Sequence, residues 1–429
     1  MANHLGRNSK LIKLHNRGLV IRKIIQNPMI SRKEIAEQTG LTQAAITQIV
    51  TTLISQNLVI EKVQKNDRRN TGRQPIGLYL DTTFYRIVAV EVGRCDITIA
   101  ILDLSGNIIC RDIDKNGISG IDIGKLPEVI TGMIRGLTED NCVDNNQILG
   151  LGISAPGPIN NKNGIMLDGL DSPDFHSGKR FEAPYDWRKF PLSEYLEREL
   201  NIPVFADNSG NISAIAESWF GAGKGIQNFV QYTVGLGIGA GVIIDGLLYR
   251  GEDDVVSEIG HITVNMNGPV CSCGNIGCLE LYSSFRNILP SYYRKKNLPQ
   301  PDLNGMNNWE IVGQLEEIWD KAHSGEIEAL GAITELSKIL GIGAVSLTNI
   351  FSPEIIIVST NDVGRVDCSL LIKPIREYVK KHAFSVIANK VTIIPSLLGT
   401  DIHLIGSGAL VLQELVSSGD FFQKRQGVA

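Results

Sequence analysis

The period of apolar positions changes along the chain, and the changes mark its elements. Over residues 10–27 apolar residues recur at helical spacing through Leu11, Leu14, Val20, Ile24 and Ile25, until Pro28 stops the run. Ser31 with Glu34 three residues on has capping-box spacing, which predicts a short second helix with Ile35 and Ala36 inward, ending at Thr39-Gly40. A third helix opens at Leu41-Thr42 with Thr42 as its N-cap. Ala45, Ile46, Ile49, Leu53 and Ile54 form its buried stripe and leave Gln43, Ala44, Thr47 and Gln48 outside. The period then drops to two: residues 58–63 alternate like a strand, 64–75 are a polar loop, and Ile76 to Leu80 return as a second strand. Three helices and a hairpin make a winged helix-turn-helix over residues 1–80.

From about residue 84, strand-like runs alternate with helical patterns: 87–92, 97–103, 148–154, 229–234, 242–244 and 355–358. That alternation predicts an α/β body. Two segments, 87–109 and 229–248, share the order strand, glycine-containing tip, strand. Two related lobes flanking a cleft are expected, residues 81–205 and 206–429. A helix-rich insertion at 279–340 lies inside the second, and the chain's last part returns to the first.

Charge separates the head from the body. Residues 1–80 carry thirteen Lys/Arg against four Asp/Glu, whereas residues 81–429 carry 28 against 42. A basic head attracts a phosphate backbone that an acidic body repels, so contact with nucleic acid is expected to be confined to the head. Gln43, Ala44, Thr47 and Gln48, in the first turns of the third helix, are the candidates for base contact, each good contact being worth about 1–3 kcal/mol of discrimination. Ser31 and Arg32 join them on the DNA face, and Arg68, Arg69 and Arg73 of the wing, with Lys65 nearby, suit a narrow minor groove. One winged helix offers few base contacts, so a homodimer or homotetramer is expected, with helix 10–27 as a brace between heads. No run approaches the roughly 18–20 apolar residues that a bilayer requires, and the first residues hold no apolar leader. A cytoplasmic protein with no membrane partner is expected.

The seven cysteines are an odd number, and three of them fall within eight positions, which is not a disulfide framework. In EIGHITVNMNGPVCSCGNIGCLE, residues 258–280, His261, Cys271, Cys273 and Cys278 offer one imidazole and three thiols in one loop. Four such ligands suit one tetrahedral zinc per chain. With all four positions filled by protein, the ion would be structural.

The zinc loop, SAPGPIN at 154–160, FADNSGNISAIAE at 205–217, VGLGIGAG at 234–241 and the preceding winged helix together resemble the ROK family of repressors and sugar kinases, specifically its repressor branch. The likeness covers essentially the whole chain. It implies an actin-like, hexokinase-like pair of lobes in which Asn208, Ser209, Glu258, His261 and Glu280 surround a sugar, His261 through the ring nitrogen not used for zinc. The family's kinases have Asp-x-Gly-Gly-Thr as a first phosphate loop; here the matching residues are Glu91-Val92-Gly93-Arg94-Cys95. Ser209 stands at the position of their catalytic Asp, Leu236 replaces a Thr of the second phosphate loop, and Ser359-Thr360-Asn361 replaces an adenosine-side Gly-Gly-Gly. Serine does not deprotonate a sugar hydroxyl at neutral pH. Asp207 is the nearby carboxylate that offers a substitute base, but its register argues against that role. Hence the expectation is no enzyme but a sugar-responsive repressor, released from DNA by a mono- or disaccharide. The alternatives are a sugar kinase with a DNA-binding head and a constitutive DNA-binding protein with a vestigial cleft.

Overall fold

The computed structural model describes residues 9–63, 76–115, 125–157, 159–161, 165–166, 191–252, 254–303, 305–361 and 363–418. The head consists of α1 (Ser9–Gln26), α2 (Arg32–Thr39), α3 (Gln43–Ser55) and the hairpin β1 (Val59–Val63) with β2 (Ile76–Leu80). Both predicted caps form. The Ser31 hydroxyl accepts from the Glu34 amide at 3.2 Å while the Glu34 carboxylate accepts from the Ser31 amide at 2.7 Å, and Thr42 accepts from the Ala45 amide at 3.2 Å. Gly40 closes α2 in the left-handed region with φ 70°. The buried face of α3 is Ile46, Val50 and Leu53. The antiparallel hairpin pairs Val59 with Leu80 and Val63 with Ile76.

Two five-stranded sheets build the body. The first holds β3 (Arg86–Val92), β4 (Ile97–Leu102), β5 (Ile108–Asp114), β6 (Ile148–Ala155) and β9 (Val204–Asn208) in the order β5-β4-β3-β6-β9. The second holds β10 (Phe229–Gly235), β11 (Ile238–Ile244), β12 (Leu247–Leu248), β13 (Ile355–Asn361) and β14 (Thr392–Pro395) in the order β12-β11-β10-β13-β14. In each, three antiparallel strands form a meander, and the fourth and fifth join in parallel beside the first. The repeated strand, tip, strand segments of the sequence are these two meanders. A small hairpin, β7 (Ile159–Asn160) with β8 (Ile165–Met166), follows β6.

The helices of the body are α4 (Leu126–Asp140), α5 (Leu192–Leu200), α6 (Ser209–Trp219), α7 (Glu280–Ser283), α8 (Ile288–Lys295), α9 (Asn308–His323), α10 (Ile327–Phe351), α11 (Ser369–His382), α12 (Ser385–Ala388) and α13 (Ile402–Ser418). Helix α6 packs on β10, β11 and α13, and α13 lies across β3 and β6 of the first sheet. One expectation is corrected here. Helix α10 does reach the length and apolarity of a membrane span, but half of that stretch is buried inside the protein, where it packs on α8 and α11 as a core helix. Helix α1 packs on α13 of its own chain, and one core joins Val20, Ile24, Ile46 and Leu78 of the head to Ile212, Trp219, Leu410 and Val416 of the body.

Candidate functional site

On the head, Gln43, Ala44, Thr47 and Gln48 are all exposed along one side of α3. The Ser31 hydroxyl is engaged in its cap, and Arg32 is paired with Glu61 of β1 at 2.9 Å. That pair ties the start of α2 to the base of the hairpin. Arg68, Arg69 and Arg73 lie outside the described residues.

In the body, residues far apart in sequence gather where α6 begins and β11 starts. Asn208 ends β9 and caps α6, its Oδ1 accepting from the Asn211 amide at 2.8 Å. Ser209 is the first residue of α6. A side-chain carbon at Gly210 would come 2.9 Å from the Ala240 carbonyl, and one at Gly260 would come 2.5 Å from the Ile238 carbonyl and 3.4 Å from Glu280 Oε2. Strand β11 is thus flanked by the Asn208–Gly210 corner on one side and the Glu258–His261 turn on the other. Glu258 is exposed, whereas Glu280 is buried and accepts from the Ile238 amide at 2.7 Å. One Glu280 oxygen therefore holds the backbone of the second glycine loop, an attachment that motif reading does not reveal.

Asp207 is fully buried, and both of its oxygens are engaged. Oδ1 accepts from the Asn208 amide at 2.8 Å and from Asn211 Nδ2 at 2.9 Å, and Oδ2 pairs with Arg250 Nη2 at 2.7 Å. Burial pushes this carboxyl up from its ordinary range, against the opposing pull of the Arg250 guanidinium and the Asn211 amide. Arg250 also approaches Asp254 at 3.5 Å. Asp254 and Ser257 both adopt left-handed backbone, with φ 60° and 63°, on the way to Glu258. Arg250 therefore links β9 of the first lobe to the segment that presents Glu258 in the second. It follows an unremarkable Leu-Leu-Tyr run, and no sequence signal marks it.

The altered positions also have new neighbours. Glu91 pairs with His403 of α13 at 2.7 Å. A side-chain carbon at Gly237 would collide with the Arg94 guanidinium, which puts Arg94 against the second glycine loop. Leu236 is buried in the lobe core, Ser359 accepts from Gln231 at 2.6 Å, and Thr360 donates to the Val366 carbonyl at 2.8 Å.

The four donor atoms of His261, Cys271, Cys273 and Cys278 lie within 4.8 Å of one another. Tetrahedral zinc with bonds of about 2.3 Å to thiolates would space its sulfurs by about 3.8 Å. The Cys273 and Cys278 sulfurs are 3.7 Å apart, and Cys271 Sγ is 3.6 Å from His261 Nδ1. This donor set fits a metal. Nδ1 faces the thiols, so Nε2 is the ring nitrogen left for another partner. The Asn275 amide holds the His261 carbonyl at 2.9 Å, and Gly277, at φ 62°, packs so tightly on the Asn265 carbonyl that no side chain would fit.

Two lobes with the same strand order, preceded by a winged helix, define an actin-like body carrying a DNA-binding head. The chain belongs to the ROK family, whose profile matches residues 87–414, while that of the MarR family matches residues 15–71. The chain is 30% identical to the xylose repressor of Caldicellulosiruptor bescii over 96% of this chain and 99% of that protein. It is 27% identical to the DNA-binding transcriptional repressor Mlc of Escherichia coli over 89% of each. Among solved structures, a ROK family transcriptional regulator described as a homologue of the Escherichia coli Mlc protein superposes with a TM-score of 0.74 at 25% identity, over 96% of this chain and 99% of that one.

Proposed function

We propose that the protein is a sugar-responsive transcriptional repressor that binds operator DNA through α3 and the hairpin and is released by a sugar held near Asn208, Ser209, Glu258, His261 and Glu280. The observation that carries the sensor reading over the kinase reading is Arg94, whose guanidinium lies against Gly237, in the space between the two loops that hold phosphate in ROK kinases. Asp207 supports the same reading, because a carboxylate with both oxygens committed to Arg250, Asn211 and its own neighbour's amide is not free to take a proton from a sugar. The relatives named as repressors span nearly the whole chain, head included.

His261, Cys271, Cys273 and Cys278 would hold one structural zinc, which fixes the turn carrying Glu258 and His261 and orients the free imidazole nitrogen. Carboxylates and an imidazole accept hydrogen bonds from vicinal hydroxyls, the groups that distinguish a sugar from other small solutes. Release from DNA requires the sugar to favour one arrangement of the protein over another. Moving a population from 99:1 to 1:99 takes about 5.5 kcal/mol of differential affinity, within reach of several buried hydrogen bonds. The protein would act in the cytoplasm as a homodimer or higher oligomer, its paired heads reading paired half-sites.

The test is fluorescence anisotropy on DNA from upstream of the protein's own gene at fixed salt, with D-xylose, D-glucose, N-acetylglucosamine and a set of disaccharides. Tight binding weakened by one sugar is the expected result, and D-xylose is tried first because of the xylose repressor's similarity. Binding indifferent to every sugar overturns the sensor reading. ATP turnover coupled to any of these sugars would restore the kinase alternative.

A further inference from the structure

The head is built into the body, and a half-buried cation, Arg22, sits at the joint. Helix α1 approaches α13 so closely that a side-chain carbon at Gly18 would come 2.6 Å from a Val416 methyl. One turn further along α1, Arg22 reaches across to two other elements. Its Nη2 donates to the Gly246 carbonyl at 3.0 Å and to the Ser218 hydroxyl at 3.3 Å, and its guanidinium carbon is 5.7 Å from the centre of the Trp219 ring. Burial lowers the Arg22 pKa, and among the described residues its partners are a carbonyl, a hydroxyl and an indole, none of them charged. A half-buried guanidinium without a carboxylate is a costly way to fasten two surfaces, because what desolvation it suffers is not offset by an ion pair. Such a contact holds only while its acceptors are correctly placed, and it gives way cheaply once they shift.

What those partners belong to gives the contact its meaning. Ser218 and Trp219 form the last turn of α6, whose first residues are at Asn208 and Ser209. Gly246 lies in the turn that ends β11, whose first residue, Ile238, is held by Glu280. Both elements therefore begin at the candidate sugar site and end at Arg22. Helix α6 has 11 residues, a rod of about 16 Å, and β11 is a paired strand inside a sheet. Neither bends easily, so a change at their near ends arrives at their far ends as a displacement of Ser218 relative to Gly246.

We propose that Arg22 is the coupling residue between cleft and head: it holds the head in the DNA-competent pose only while the ends of α6 and β11 keep their sugar-free spacing. The inference rests on the sensor reading above and names how that site is read out.

Arg22→Gln tests it, with operator affinity measured by anisotropy with and without saturating sugar from the panel above, and sugar affinity by calorimetry. The expected result is sugar binding within about twofold of the parent, but a sugar-induced loss of operator affinity at least tenfold smaller. A purely structural role lowers the melting temperature and leaves the ratio of operator affinities untouched, and that outcome overturns the proposal. Ser218→Ala removes one acceptor and little volume, so it reports even where Arg22→Gln does not fold. It should reduce the same ratio, and a full parental ratio counts against the inference. If the parent protein responds to no sugar, the sensor reading fails and this proposal with it; if the parent responds and the variants respond equally, only the coupling role of Arg22 fails.

Discussion

At Glu217, burial and hydrogen bonding pull on one side chain in opposite directions. It is fully enclosed near the end of α6, accepting from the Ser396 hydroxyl and, at 2.7 Å, from the Ala222 amide. Burial dominates and pushes its carboxyl up, with Ser396 and the backbone amides pulling it back. A carboxyl whose folded pKa exceeds its unfolded one favours the native state at low pH, and that contribution is lost as pH rises through the folded value. Glu217→Gln removes the titration while keeping the shape. The melting temperature of Glu217→Gln relative to the parent should therefore climb as pH rises above the ordinary glutamate range, and a constant difference would show that Glu217 ionises as in the unfolded chain. Residues of this kind separate what was readable from what was not. Ser31 with Glu34 was legible because both partners of the capping box lie within one turn. Arg22, Arg250 and His403 were not, because Arg22 meets Gly246 at 224 positions' separation and His403 meets Glu91 at 312. Local spacing cannot encode such pairings.

Elements differ in the same way. The metal loop compresses four donors into a short stretch, and two bridges, Thr263 to Cys278 and Val270 to Ile276, fold it on itself. Its cluster of donors was therefore visible in order along the chain. If the loop holds one zinc as proposed, Cys273→Ser should reduce bound zinc from one equivalent to none by metal analysis, lower the melting temperature, and abolish sugar binding through disorder of the Glu258–His261 turn; a variant that retains one equivalent would remove Cys273 from the ligand set. The two meanders were readable from their alternation and glycine tips, whereas β9 and β14 were not. Both are short, and Pro395 ends β14 at a sheet edge, where a missing amide costs little. Helix α10 was expected only within the helix-rich stretch 279–340, and its last turns, to Phe351, ran beyond that boundary.

For the whole molecule, charge and topology carry separate messages. The excess of Lys/Arg in residues 1–80 and of Asp/Glu beyond them assigns nucleic-acid contact to one end. If Arg73 contacts DNA, Arg73→Ala should lower the slope of log affinity against log salt by about one unit, from titrations between low and moderate salt. An unchanged slope places Arg73 off the duplex. The paired strand orders of the two sheets were foreshadowed by the repeated segments, but the packing of the head on α13 was not, since no pattern in α1 names its partner.

That packing has a consequence for how the protein comes into being. Ile24, Ile35, Ile46 and Leu53 of the head share one core with Leu410, Leu412 and Val416 of α13. A ribosome adding about 5–20 residues each second releases the head long before it makes α13. Until then the face of α1 that α13 covers has no lasting cover, and any fragment broken off before α13 carries a head without its support. A chain truncated before α13 should therefore carry a head of lower melting temperature than the head of the full chain.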